Sequence, residues 1–430
     1  MHGALLSSTA RPRRSARPID SLRRPCPVGR MQISRRLAHL LPGGDDGWHV
    51  HYRAQALAAA GEAVVPLTVG EPDARTDPAI LDAMDRAARA GATGYAPVAG
   101  LPELREAVAA RVAQRSGVPT GRDNVLIVPG GQAGLFAAHL AALEPGQAGL
   151  IVDPHYATYP GTVRAAGGRP VTLAGRAEAG FAPDPARIVE AARAEGAGSL
   201  LVNSPGNPTG QVWPRATIEG VAAACAEAGL WLISDEVYEA QVWEGVHISP
   251  RALPGMGRRT LVVGSMSKSH AMTGSRIGWV VGPERAVAAL ADLATHTTYG
   301  VPAYIQQAAL WALAEGGDAL EARVAAPYRR RRALVQAALG PCPALRLLPM
   351  QGAMYAFVDS RPTGLSGVAF AEALLEAERI AVMPGESFGR AAAGHVRIAL
   401  TAPDDVLEDA LGRLARFAEA RAEDRAARAG

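Results

Sequence analysis

Of the 44 basic residues in this 430-residue chain, 43 are Arg and one is Lys, Lys268. A GC-rich coding bias replaces Lys by Arg wherever only charge matters, so a surviving lysine points to chemistry that arginine cannot do. Arginine stays protonated, whereas a lysine amine can deprotonate and form an imine. Lys268 ends the run Val263-Gly264-Ser265-Met266-Ser267-Lys268. Ser265, three residues before it, and Arg276, eight after, could hold an anion beside the amine. Asp235 and Tyr238 lie in Leu232-Ile233-Ser234-Asp235-Glu236-Val237-Tyr238. The carboxylate could pair with a protonated ring nitrogen, and the phenol could donate to a phenolate oxygen. Asn207, between prolines and glycines in Asn203-Ser204-Pro205-Gly206-Asn207-Pro208-Thr209-Gly210, offers an amide from a fixed loop. Gly131 and Gln132 follow Val128-Pro129-Gly130 and open an Ala-rich stretch, where free amides at a helix start make a phosphate seat. Tyr156, in Pro154-His155-Tyr156-Ala157-Thr158-Tyr159, could stack on an aromatic ring.

Each of these residues alone has a commoner fate. A lone loop lysine is usually solvated, an Asp at a helix start is usually a cap, and most glycine turns bind nothing. Their conjunction, in one order and each after an apolar run, is what carries weight.

The elements that must position them are legible as a pattern. Apolar runs at 125–128, 149–152, 199–203, 229–234 and 260–264 read as strands. Helices are expected near 78–90, 101–115, 131–142, 185–195, 215–228 and 285–296. Such alternation implies an α/β fold with a mostly parallel sheet flanked by helices. Ligand sites of open α/β sheets lie beyond the carboxyl ends of the strands. After about residue 300 the pattern changes to a long helical stretch (303–339), strands at 345–349, 353–359 and 395–400, and a helical tail from Asp404. This reads as a smaller α+β domain. The division expected is a large cofactor-binding domain over 61–300, and a small domain from 31–60 and 301–430.

Residues 1–30 hold seven Arg against one acid, Asp20, with several Pro and Ser. They read as a disordered leader or a start-site artefact, with Met31 a natural start and a transit-type leader the alternative. The net charge of +3 gives no reason to expect nucleic acid or a membrane surface as partner. No apolar run reaches the ~18 residues a membrane helix needs. Cys26, Cys225 and Cys342 form no CxxC or metal pattern, which suits a reduced, cytoplasmic setting. No metal site is expected.

From about residue 45 to the C-terminus the chain resembles the class I/II aminotransferases of fold type I. The resemblance implies pyridoxal 5′-phosphate as cofactor. Lys268 would hold it through an imine and shuttle the proton between substrate Cα and cofactor C4′. Asp235 would pair with the pyridine nitrogen, Asn207 and Tyr238 with the ring 3′ oxygen, and Tyr156 would stack on the ring. Gly131, Gln132, Ser265 and Arg276 would hold the phosphate. Gly94-Tyr95-Ala96-Pro97 resembles the segment whose Tyr reaches the partner subunit's phosphate, so Tyr95 implies a homodimer with shared active sites. Val69-Gly70-Glu71-Pro72-Asp73 is similar to the loop whose glycine meets the substrate carboxylate. His395-Val396-Arg397-Ile398 is similar to the segment whose Arg clamps it, and Asn207 would also touch the substrate.

Arg397 implies an α-amino acid substrate and a 2-oxo acid partner. Dicarboxylate specialists often use a second Arg placed after the phosphate Arg, and this chain has no Arg or Lys between Arg285 and Arg323. Within the family, His51-Tyr52-Arg53-Ala54, Ser267-Lys268-Ser269-His270-Ala271-Met272-Thr273-Gly274 and Arg361-Pro362-Thr363-Gly364 resemble arginine–pyruvate transaminases. That suggests a guanidino or other basic donor and pyruvate as acceptor. A cationic side chain would need an acid in the pocket, for which Glu71, Asp73, Asp45 and Asp46 are candidates. Other pyridoxal-phosphate chemistry (arginine oxidation or hydroxylation, β-elimination, decarboxylation) shares the same residues. A cofactor-sensing regulator would need a DNA-binding domain, and no helix-turn-helix pattern precedes residue 45.

Overall fold

A computed structural model describes residues 33–41 and 47–429. The leader segment and the candidate acids Asp45 and Asp46 lie outside the described residues. Two sheets organise the fold. The larger has seven strands in the order β2-β8-β7-β6-β5-β3-β4: β2 (Val125–Val128), β3 (Ala148–Asp153), β4 (Arg169–Ala174), β5 (Ala197–Asn203), β6 (Trp231–Asp235), β7 (Thr260–Ser265) and β8 (Gly278–Val281). β8 runs antiparallel to β7 and β2, and the β4-β3-β5-β6-β7 pairs are parallel.

The apolar runs form this sheet because both of its faces are covered. Val262, Leu200, Val202, Leu150 and Val152 point to one side, where Pro102–Ser116, Ala303–Trp311, Pro185–Glu195 and Arg215–Glu227 pack. Their neighbours Leu261, Val263, Leu201 and Ile151 point to the other, under Gly131–Ala142 and Glu284–Thr295. The alternation is the two-residue repeat of a strand with no wet face. Helix limits follow their caps. Asp184 accepts from the Ala186 amide, Pro185 opens the helix, and Gly196 ends it at φ +61°.

The smaller sheet has the order β1-β11-β12-β10-β9: β1 (Val65–Leu67), β9 (Arg346–Leu347), β10 (Tyr355–Asp359), β11 (Ile380–Pro384) and β12 (His395–Ala399). β1 comes early in the chain but pairs with β11. It holds Pro66, which an edge strand tolerates. The carboxyl end of β1 therefore delivers the Val69-Gly70 loop to the large sheet's edge.

The strands and helices anticipated from apolar periodicity are present within a few residues, and the anticipated strand at 345–349 shrinks to two residues. β1, β4, β8 and β11 and the helices His49–Ala59 and Gly367–Glu378 were not anticipated. β4 lies at the sheet edge and is half exposed, so its pattern is mixed. β8 directly follows the Arg276 loop and is only four residues long.

One buried cation ties the two halves. Arg331, on the helix Gly317–Leu339, bonds both oxygens of Asp73 at 2.8 and 2.7 Å, Asp404 at 2.8 Å and the Leu400 carbonyl at 2.9 Å. Asp73 is thereby a fold residue, three positions beyond Gly70. Replacing Arg331 by Ala should strip Asp73 of its ion-pair partner and leave Asp404 with Arg330 alone. We expect a loss of about 2–3 kcal/mol, below the fully buried range because Asp73 and Asp404 are partly in water. Thermal unfolding should show a melting temperature lower by several degrees; an unchanged value would exclude the clamp.

Candidate active site

The carboxyl ends of β2, β3, β5, β6 and β7 meet at one edge. Register fixes this: Asn203 lies beside Asp235, Asp235 beside Val263, and Ser265 and Val128 both beside Gly278. A cavity of about 310 Å³ opens there. The large sheet lines it with Gly131, Gln132, Tyr156, Asn207, Asp235, Tyr238, Ser265, Lys268 and Arg276; the Val69-Gly70 loop and β12 add Gly70 and Arg397. Every catalytic, cofactor-binding and carboxylate-binding residue anticipated from sequence is in this set except Tyr95; of the candidate pocket acids, Glu71 lines the cavity and Asp73 does not. The Tyr95 side chain is 91% exposed and rests edge-on against Tyr299, 5.1 Å between ring centres.

Lys268 lies in the helical turn Met266–Ser269 that follows β7. Its amine donates to the Gly70 carbonyl at 2.5 Å, and Gln241 donates to its backbone oxygen at 3.3 Å. Burial is the main cause that lowers its pKa to about 8; Arg397 and Arg276 lower it further, while Glu71 and Asp235 oppose them. At neutral pH roughly one amine in ten is then uncharged, against roughly one in several thousand at the ordinary value of 10.4.

Asp235 closes β6. Burial pushes its carboxyl up to about 6, against the Tyr159 hydroxyl and the Val237 amide, which stabilise the anion. Tyr159 donates to it at 2.7 Å. Asn203 holds the loop by donating to the Asp235 carbonyl at 2.9 Å and accepting from the Asn207 amide at 2.8 Å. The Tyr238 and Tyr355 hydroxyls are 2.7 Å apart, and burial raises both phenols.

Arg397 is 1% exposed. Its guanidinium lies between the Tyr355 and Phe388 rings, 4.5 and 4.6 Å from their centres. It donates to Asn207 Oδ1 at 2.8 Å and to the Thr68 carbonyl, and among the described residues its Nε has no partner. A fully buried guanidinium without a carboxylate is costly, so an anionic ligand there is strongly favoured.

At the far end Gly130, at φ +80°, leads into the helix Gly131–Ala142. A Cβ at Gly130 would overlap the Arg276 guanidinium, so only glycine permits this approach. Arg276 is oriented by the Thr273 carbonyl at 2.8 Å. Helix amides, the Ser265 hydroxyl and Arg276 suit a phosphate dianion. A buried carboxylate raised to about 6 is best satisfied by a protonated pyridine nitrogen. A lysine with a depressed pKa suits an aldehyde. The donor set therefore fits pyridoxal phosphate.

Sequence reading overlooked Tyr159, Tyr355, Thr68, Phe388 and Trp48. Tyr159 stands three residues after Tyr156, one helical turn, which was the available signal. The others reach the site only through the second sheet or the segment before it. Replacing Tyr159 by Phe removes a hydroxyl donor to a buried anion, so the Asp235 carboxyl should rise above about 6. We expect kcat to fall about tenfold and the acid limb of the pH–rate profile to move to higher pH. An unshifted profile would sink the assignment.

The sequence matches the family model described as aminotransferase class I and II over residues 62–414. It is 43% identical over 385 residues to the arginine–pyruvate transaminase of Pseudomonas aeruginosa, covering 90% of this chain and 98% of that protein. Identity to the aspartate/prephenate aminotransferase of Thermus thermophilus is 38% over 387 residues, covering 89% and 98%. The solved aspartate aminotransferase from Thermus thermophilus with maleate matches with a TM-score of 0.84 at 37% identity, covering 90% of this chain and 100% of that one. The chain belongs to the class I and II aminotransferases.

Proposed function

We propose that this aminotransferase holds pyridoxal 5′-phosphate on Lys268 and transfers the amino group of arginine, or of another guanidino or basic amino acid, to pyruvate or a similar 2-oxo acid. The observation that carries the reading is the buried Lys268 amine, its pKa lowered to about 8, bonded to the Gly70 carbonyl in the cavity it shares with Asp235 and Arg397.

Bound pyridoxal phosphate would supply the electron sink that lets an amino acid lose its Cα proton. The chain does the rest. Gly131 and Gln132 amides, Ser265 and Arg276 would fix the phosphate, and Asp235 would keep the ring nitrogen protonated. Tyr238 and Asn207 would bond the ring oxygen, and Tyr156 would lie on the ring. Arg397 and Asn207 would bind the substrate carboxylate beside the Gly70 backbone. This would orient the Cα–H bond toward Lys268 Nζ, which as a free base would take that proton.

Two of the comparisons concern enzymes named for aspartate. The cavity favours another donor. Its lining cations among the described residues are Lys268, Arg276 and Arg397, and each has a task already. A second substrate carboxylate would find no cation there. The arginine–pyruvate transaminase similarity points to a basic donor instead.

We further propose a homodimer in which the partner subunit's Tyr95 completes the phosphate site. The exposed Tyr95–Tyr299 pair supports it, since an aromatic pair left in water favours a covering surface. We place the enzyme in the cytoplasm. Cys225 and Cys342 are free and buried, and among the described residues no helix is long and apolar enough to cross a membrane.

Lys268→Ala should abolish both turnover and the cofactor's characteristic absorbance. Because Lys268 is the single lysine, borohydride reduction of the loaded wild-type enzyme should label one peptide; label elsewhere would overturn its role. Arg397→Ala should raise KM for amino and oxo acids alike, roughly a hundredfold, with cofactor retained. An unchanged KM would move the carboxylate site elsewhere.

A further inference from the structure

We propose that Glu71 and Trp48 form the subsite that receives the cationic end of the donor's side chain. The proposal rests on the basic-donor reading above and assigns the residues that would enforce it.

The cavity's charged groups are few. Arg276 lies against Gly130 at the phosphate end, Arg397 is bonded to Asn207 at the carboxylate end, and Asp235 is bonded to Tyr159 deep beneath. Lys268 reaches the Gly70 carbonyl. Glu71, the remaining charged lining residue, is exposed and follows Gly70 directly. Among the described residues its one hydrogen bond comes from the Thr273 hydroxyl at 2.6 Å, and it forms no ion pair. A hydroxyl occupies part of one carboxylate oxygen and leaves most of its acceptor capacity for a guanidinium fork.

The carboxylate is also held in place. Thr76 donates to the Ala271 carbonyl at 2.6 Å, stapling the Glu71 loop to the segment that carries Thr273. Two residues beyond Glu71, Asp73 is gripped by Arg331. That pairing also removes Asp73 as a rival acid. An acceptor so fixed loses little freedom on binding. Trp48 lines the same cavity, its ring set edge-on against His51 at 5.6 Å. An indole and a carboxylate lining one cavity suit a planar cation, through stacking and a forked hydrogen bond. The charge of Glu71 is felt at Lys268, where it opposes the lowering of the amine's pKa, so it is close enough to matter within the cavity.

The test compares L-arginine with L-citrulline, which has the same length and shape but no charge. Loaded wild type, Glu71→Gln and Trp48→Leu enzymes are followed through a single amino-group transfer, with the apparent dissociation constant read from the absorbance titration. The wild type should prefer arginine, and raising ionic strength should erode that preference. In Glu71→Gln the arginine-to-citrulline ratio of kcat/KM should fall roughly ten- to a hundredfold, chiefly through the dissociation constant, and lose its salt dependence. Trp48→Leu should lower the same ratio by a smaller factor, with Trp48→Phe restoring part of it. If Glu71→Gln depresses both donors equally, Glu71 serves the reacting amino group and the subsite is wrong. If wild-type enzyme shows no preference for arginine over citrulline, the basic-donor reading itself fails.

Discussion

The hydrogen bond from the Lys268 amine to the Gly70 carbonyl, 2.5 Å long, joins two sheets that share no strand. Lys268 comes from the turn after β7; Gly70 comes from the loop after β1. The contact demands that Gly70 have no side chain, because a Cβ there would overlap the Tyr355 hydroxyl. Tyr355 in turn meets Tyr238 and lies on the Arg397 guanidinium. One close approach thus locks Lys268, Tyr238 and Arg397 into a single arrangement. Such over-determination gives the reacting groups their geometry before any ligand arrives.

Electrostatics in the cavity follow from burial more than from pairing. Burial lowers Lys268 and Arg397 and raises Asp235, disfavouring the charged form of each. In the proposed function ligand charges would complete the set: a phosphate for Arg276, a ring cation for Asp235, a carboxylate for Arg397. The cavity is built to be finished by its occupants, which is how binding free energy can be directed toward chemistry.

Behind the reacting residues lies a second layer that fixes their loops. Glu239, one residue after Tyr238, accepts from Arg111 at 2.9 Å and Arg115 at 3.0 Å. Burial would raise its carboxyl, but the two arginines outweigh that and hold it below its usual range. Glu321, from the long helix Gly317–Leu339, meets the same two arginines. The same helix grips Asp73 through Arg331. One helix therefore braces both loops, the one after β6 through Arg111 and Arg115 and the Gly70 loop through Arg331.

The amino-acid sequence determined what depends on local order. Five apolar runs with helices between them fixed a parallel sheet, and a parallel sheet must bring its strand ends to one edge. Residues placed just after those runs, among them Gly131, Tyr156, Asn207, Asp235, Ser265 and Lys268, were legible for that reason. Arg397 and Gly70 were legible only by resemblance to the family, because nothing nearby in the chain marks them. Tertiary structure decided the remainder. It put β1 into the second sheet, aimed Tyr159 at Asp235, wrapped Arg397 in Tyr355 and Phe388, and separated Glu71, at the cavity, from Asp73, committed to Arg331. Two acids two residues apart have the same local pattern. Only the position of a distant arginine tells which one is left for a ligand.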